Sequence, residues 1–83
     1  MNEYMGYQID TDIWELSERD FDTIKWAVDF IDNNWSLREL SRNICVPFST
    51  IQKRFNNELS YLSYELYCLV QRRYKEHNNH TRG

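Results

Sequence analysis

The sequence predicts a small all-α domain of about four helices, and three observations carry that prediction. Only two glycines and one proline interrupt 83 residues, so few positions favour a turn over a helix. Apolar side chains recur at spacings of three and four through most of the chain after Ser17, which is the period of one helical face. No two alternating apolar runs are joined by a hairpin signal. At this length roughly 60% of the unfolded surface can be buried. A composition that is 41% hydrophobic and 16% aromatic supplies one core and leaves little room for a catalytic cleft.

Residues 1–16 form an acidic arm with Tyr4, Tyr7, Ile9, Ile13 and Trp14 and show no sustained period, so they stay unassigned. Ser17 followed by Asp20 is a weak N-cap signal. Behind it Phe21, Ile24, Ala27, Val28 and Ile31 share one stripe, which predicts a first helix to about Asn33. Trp26 and Phe30 fall on nearly the opposite side at 100° per residue, so the arm or a second subunit is expected to cover them. Ser36-Leu37-Arg38-Glu39 is a capping box, in which the serine hydroxyl and the glutamate carboxylate reciprocally satisfy backbone donors of a first turn. The second helix starts there and is short. Leu40 and Ile44 bury one side before Cys45-Val46-Pro47, where proline cannot continue a helix but suits the start of a new one. The third helix turns Ile51 and Phe55 inward and leaves Phe48, Ser49, Gln52, Lys53 and Asn56 facing out. After Asn56-Asn57, Leu59, Leu62, Leu66, Leu69 and Val70 lie within an arc of about 100° and predict one fourth helix. Tyr64, Tyr67 and Tyr74 flank that arc, with Arg72 and Lys75 on the polar side. The division is therefore an arm over 1–16, a helical domain over 17–76 and a polar tail over 77–83 that is expected to be free.

Two short helices joined by a three- or four-residue turn, the second presenting small polar and basic side chains, make a central helix-turn-helix. Leu37, Leu40, Ile44, Val46, Ile51 and Phe55 place apolar groups where the helices cross, and small Ser41 sits where they approach most closely. The stretch Leu37 to Lys53 resembles the stage III sporulation protein D family of bacterial transcription regulators, whose motif reads approximately V-R-x-I-A-K-x-F-G-V-S-K-S-T-V-H-K. It follows that motif without a gap, and the likeness extends through Glu58-Leu59 and, more loosely, to His80-Thr81-Arg82-Gly83. The resemblance implies sequence-specific binding of double-stranded DNA, with Ser49, Thr50, Gln52 and Lys53 at recognition-helix positions. Cys45 stands where the family has a turn glycine, a position that usually takes positive φ at a cost of about 1 kcal/mol to other residues. Pro47 and Phe48 replace a capping serine and a basic residue.

In such a mode Gln52 pairs bidentately with adenine, Lys53 reaches guanine, Asn56 sits one turn later, and Phe48 presses on a thymine methyl or staples the helix start. Ser36, Arg38, Arg42, Thr50, Arg54, Arg72, Arg73 and Arg82 are the candidates for phosphate, which positions a module without reading sequence. About four neutralised phosphates give a slope of log K against log salt near −3.6. The net charge of −3 hides an asymmetry that suits this picture. Met1 to Asn34 carries nine acids against two bases, net −7, and Trp35 to Gly83 carries eight bases against four acids, net +4.

No run approaches the roughly 18 apolar residues of a membrane span, and no apolar stretch follows a basic start, so a cytoplasmic protein without membrane contact is expected. Cys45 and Cys68 are too few and too far apart for a disulfide framework and read as reduced thiols. With His77 and His80 they lack the paired spacing of a zinc site, and Asp10-Thr11-Asp12 lacks the glycine and closing glutamate of a calcium loop. No nucleophile elbow, phosphate-cradling glycine loop or paired acid and base stands out. Neither an enzyme, a cofactor, a metal nor a small-molecule substrate is therefore expected. The alternative to a DNA-binding regulator is a small acidic inhibitor of phage or mobile-element type, which presents carboxylates where a partner would hold phosphates. Trp14, Trp26, Phe30, Tyr64 and Tyr67 are its candidate protein interface, or that of a homodimer.

Overall fold

The structure, a computed structural model, describes the backbone of residues 7–11 and 13–82 and the side chains of 7–11 and 14–76. Every regular element among them is helical. A 3-10 turn at Ile13–Glu15 is followed by α1 (Glu18–Asp32), α2 (Leu37–Ile44), α3 (Phe48–Arg54), a π-helical turn (Phe55–Leu59), α4 (Ser60–Leu62) and α5 (Tyr64–Arg82). The fold class is thus all-α. No helix among the described residues is long and apolar enough to cross a membrane.

Ser17 caps α1, its hydroxyl accepting from the Asp20 N–H at 3.1 Å. The helix leaves through Asn34, whose φ of 56° is in the left-handed region. That exit is held from α5, where the Arg73 guanidinium donates to the Asn34 side-chain oxygen and, at 3.1 Å, to the Trp35 carbonyl. The core gathers Ile24, Ala27, Val28 and Phe30 of α1, Leu40 of α2, Ile51 of α3, and Phe55, Leu59, Leu62, Leu66 and Val70 behind them.

Phe30 corrects the sequence expectation. It needs neither the arm nor a second subunit, because it is fully buried with its ring centroid 5.9 Å from both Phe55 and Tyr74. At 100° per residue Phe30 lies only about 60° from Ala27. Helices on two sides widen the buried stripe to take in Thr23 and Phe30, while Phe21 and Ile31 are only half-buried. Trp26 is half-buried too, and its cover is the Arg54 guanidinium, 4.9 Å from the ring centroid.

The expected third and fourth helices divide elsewhere than the sequence suggested. α3 does not stop at Asn56-Asn57; the chain continues through the π turn and α4 and first breaks at Ser63, which is extended (φ −156°, ψ 102°). The wider π turn lets Ile51 of α3, Phe55 and Leu59 of the turn itself and Leu62 of α4 all reach the same core. Ser63 then caps α5, its hydroxyl accepting from the Leu66 N–H at 3.3 Å and its carbonyl from the Tyr67 N–H at 3.0 Å.

The arm closes this break. The Asp10 N–H donates to the Leu62 carbonyl at 3.0 Å, the Asp10 carboxylate accepts from the Tyr64 N–H at 3.2 Å, and the Gln8 N–H donates to Glu65 at 2.8 Å. The Ser63 hydroxyl in turn donates to the Gln8 carbonyl, and Tyr7 donates to Asp32 at the end of α1. Burial and that carboxylate push the Tyr7 phenol up to about 12. Residues 7–11 therefore strap the α4–α5 junction, and their hydrogen bonds leave α2 and α3 untouched. His77, His80, Arg82 and the expected free tail involve side chains outside the described residues, as does Asp12.

Candidate nucleic-acid interface

The capping box forms as its spacing requires. The Ser36 hydroxyl accepts from the Glu39 N–H at 3.2 Å, and the Glu39 carboxylate accepts from the Ser36 N–H at 2.9 Å. After eight helical residues α2 ends on Cys45 at φ 59°, ψ 42°, the left-handed conformation that a glycine would take at less cost. The turn is three residues long, Cys45 to Pro47. Ser41 fastens it, its hydroxyl donating to the Val46 carbonyl and its carbonyl accepting from the Val46 N–H at 3.3 Å. The Pro47 carbonyl then accepts from Thr50 and Ile51 and starts α3.

Ile51 anchors α3, and every residue named for base reading stands on the outer side. Phe48, Ser49, Gln52, Lys53 and Asn56 are all exposed, Asn56 from the π turn. Among the described residues, the side chains of Ser49, Thr50, Gln52, Lys53 and Asn56 have no hydrogen bond or ion pair within the chain. Phe48 is 44% exposed and carries the Arg38 guanidinium 5.6 Å from its ring centroid. Between Trp35 and Asn57 four bases face one acid, and that acid, Glu39, is engaged in the capping box.

The candidate phosphate residues separate into two groups. Arg38, Arg42, Thr50 and Arg72 are exposed. Ser36 is half-buried in its capping box. Arg54 and Arg73 are withdrawn from the expectation, because both guanidiniums hold the fold together. Arg54 donates to the Thr23 hydroxyl at 3.1 Å and the Arg19 carbonyl at 3.3 Å and stacks on Trp26, with its side chain 17% exposed. Arg73 holds Asn34 and Trp35, lies against Phe30 and stands 3.8 Å from Glu76, with its side chain 14% exposed.

Sequence reasoning missed the lock beneath Arg54. Glu58 is buried, accepts from Arg19 at 2.7 Å and from Thr23 at 3.4 Å, and lies 4.0 Å from Arg54. The Arg19 hydrogen bond holds its carboxyl below the ordinary range, against the opposing effect of burial. The cluster fixes α1 to the end of α3, and the contacts that join its two local pairs, Arg19 with Thr23 and Arg54 with Glu58, span 31 to 39 residues, beyond any local pattern.

Of the candidate protein-interface residues, Phe30 is removed by its burial and Trp26 by its Arg54 cover, whereas Trp14 and Tyr64 are 87% and 63% exposed. Tyr67 is half-buried and stacks on Tyr64 with centroids 6.2 Å apart. Both cysteines are free and exposed. Among the described residues no group of three or more His, Cys, Asp or Glu could hold a metal ion. Compared with family models, curated proteins and solved structures, the chain finds no match.

Proposed function

We propose that the chain binds duplex DNA as a transcription regulator, with α3 in the major groove and α2 bracing it against the phosphates. One observation carries the reading: a capped eight-residue helix, a three-residue turn that opens on left-handed Cys45, a second helix and the π turn behind it present Gln52, Lys53 and Asn56 together, exposed and uncommitted among the described residues. These are side chains that match base edges, with Gln suited to adenine and Lys to guanine. The resemblance of Leu37 to Lys53 to the sporulation-regulator motif supports it as well.

With Arg54 and Arg73 held inside the fold, Arg38, Arg42 and Lys53 or Arg72 remain for phosphates. Three contacts give a salt slope of about −2.7 rather than −3.6. The test is a mobility assay on mixed genomic fragments at low and moderate salt. Retention that vanishes in a Gln52→Ala, Lys53→Ala double variant, which leaves the buried core intact, is the expected result. No retention by the unaltered chain at low salt overturns the reading and favours the acidic inhibitor, whose aromatic surface keeps Trp14, Tyr64 and part of Tyr67.

A further inference from the structure

We propose that the groove between the first turn of α2, the start of α3 and α5 binds a small aromatic carboxylate. It encloses about 360 Å³, with Phe30, Leu37, Phe48 and Tyr74 as aromatic and apolar walls. That volume falls within the roughly 300–1,000 Å³ of small-molecule sites. Its polar lining is Ser36, Arg38 and Gln52.

Those three side chains are donors without acceptors. Arg38 lies over the Phe48 ring at 5.6 Å and has no carboxylate within ion-pair distance among the described residues. The Ser36 hydroxyl accepts from Glu39, but its own proton meets no acceptor among those residues, and the Gln52 amide is likewise unpaired. Among the described residues the buried Tyr74 hydroxyl has no partner, which makes it a fourth unspent donor beside the groove. Donors converging between ring faces call for a planar ligand with negatively charged oxygens. A guanidinium held over a phenyl ring still has N–H donors for a carboxylate, and the ring walls take the ligand's own ring. A phosphate would use the donors and waste the walls; a neutral aromatic amide would do the reverse.

A ligand seated there covers Phe48 and Gln52 and so displaces DNA. This consequence rests on the DNA-binding reading, whereas ligand binding does not. The test is a titration of the ¹⁵N-labelled full chain with sodium benzoate, followed by amide shifts without DNA. Saturable shifts around Ser36, Leu37, Gln52 and Tyr74 with a Kd of about 1 mM are expected. Benzamide, and inorganic phosphate at matched ionic strength, should each bind about tenfold more weakly. Arg38→Gln, at an exposed site, should keep the folded spectrum, weaken benzoate about tenfold and erase its advantage over benzamide. Shifts that fail to saturate or scatter over the surface, benzamide or phosphate matching benzoate, or an unchanged Kd in Arg38→Gln each overturn the site. Benzoate that binds but does not release retained duplex overturns the coupling alone. A chain that retains no duplex at all strikes the DNA reading and leaves the titration to decide the site.

Discussion

The chain turns twice around α3, at Cys45 to Pro47 before it and at Ser63 after α4, and the two breaks are held by different means. The first closes on its own neighbourhood: Ser36 with Glu39, and Ser41 with Val46. The second borrows its partners from the arm, with Gln8 and Asp10 satisfying groups of Leu62 to Glu65 that stand 54 to 57 residues away for the side-chain contacts. The start of α3 is therefore shaped locally, but the angle at which the chain turns after α4 depends on a strap from the far end. The described part of the arm, expected as a cover for Trp26 and Phe30, is instead a clasp on the α4–α5 junction.

The largest effect should come from removing that clasp. Deleting residues 1–11 strips four hydrogen bonds from the α4–α5 junction and removes Tyr7 and Ile9, which pack half-buried against the core. We expect a loss of about 4 kcal/mol in urea unfolding, a large part of the 5–15 kcal/mol typical of a domain. DNA affinity of the folded fraction should not tighten, because the described arm residues do not hydrogen-bond to α3. A loss below about 1 kcal/mol would mean that the second break, like the first, sustains itself.

Ser63→Ala sharpens the point. The side chain is fully buried, accepts from Leu66 and donates to Gln8, so its loss should cost about 2 kcal/mol. In a chain already lacking residues 1–11 the same substitution should cost about half as much, since the Gln8 partner is gone and only the cap remains. Equal costs in the two backgrounds would show that arm and cap act independently.

The difference between the breaks also explains what could be read in advance. A capping box, a proline and a small residue at position 41 act over three or four positions, so the first break was visible in the spacing. Ser63 was not, because the apolar period runs straight through it: Leu59, Leu62 and Leu66 keep facing one core on both sides of the break. Its third following residue is Leu66 rather than Glu or Gln, so no capping box flags it. Arg54 and Arg73 looked like free cations for the same reason. Their hydrogen-bond partners lie 31 to 39 residues away, at Arg19, Thr23, Asn34 and Trp35, and the nearby Glu58 at i+4 and Glu76 at i+3 do not by themselves reveal those distant bonds. Phe30 was misplaced because a stripe of five residues hides that a helix packed on two sides buries more than one stripe. The exposed side of α3 was legible, since Ile51 and Phe55 fix its phase.

Between the two breaks Glu58 ties the π turn to α1, and pH tests it. Arg19 lowers its folded pKa below the ordinary 4.5, so the charged form stabilises the fold above that value. That contribution is lost as pH falls through the lowered folded value. Stability should therefore decline below about pH 4.5, and Glu58→Gln, at a cost of about 1 kcal/mol near neutrality, should flatten that part of the decline. Urea melts at neutral and acid pH check it; an unchanged acid profile in the variant would assign the decline to other carboxylates.

The smallest effect belongs to the first break and carries a sign that decides its physics. Cys45 holds φ 59° without being glycine, and among the described residues its side chain gains in return a weak thiol contact to the Arg42 carbonyl at 3.9 Å. Cys45→Gly relieves about 1 kcal/mol of left-handed strain. It also frees the unfolded chain, which returns part of that gain and leaves a net stabilisation of about 0.5 kcal/mol. Cys45→Ala keeps the strain and loses only the thiol contact, so it should change stability by a few tenths of a kcal/mol at most. The glycine-minus-alanine difference therefore isolates the backbone term. A glycine variant less stable than the alanine one would mean that the turn does not strain Cys45, and that the local closure of the first break costs the fold nothing.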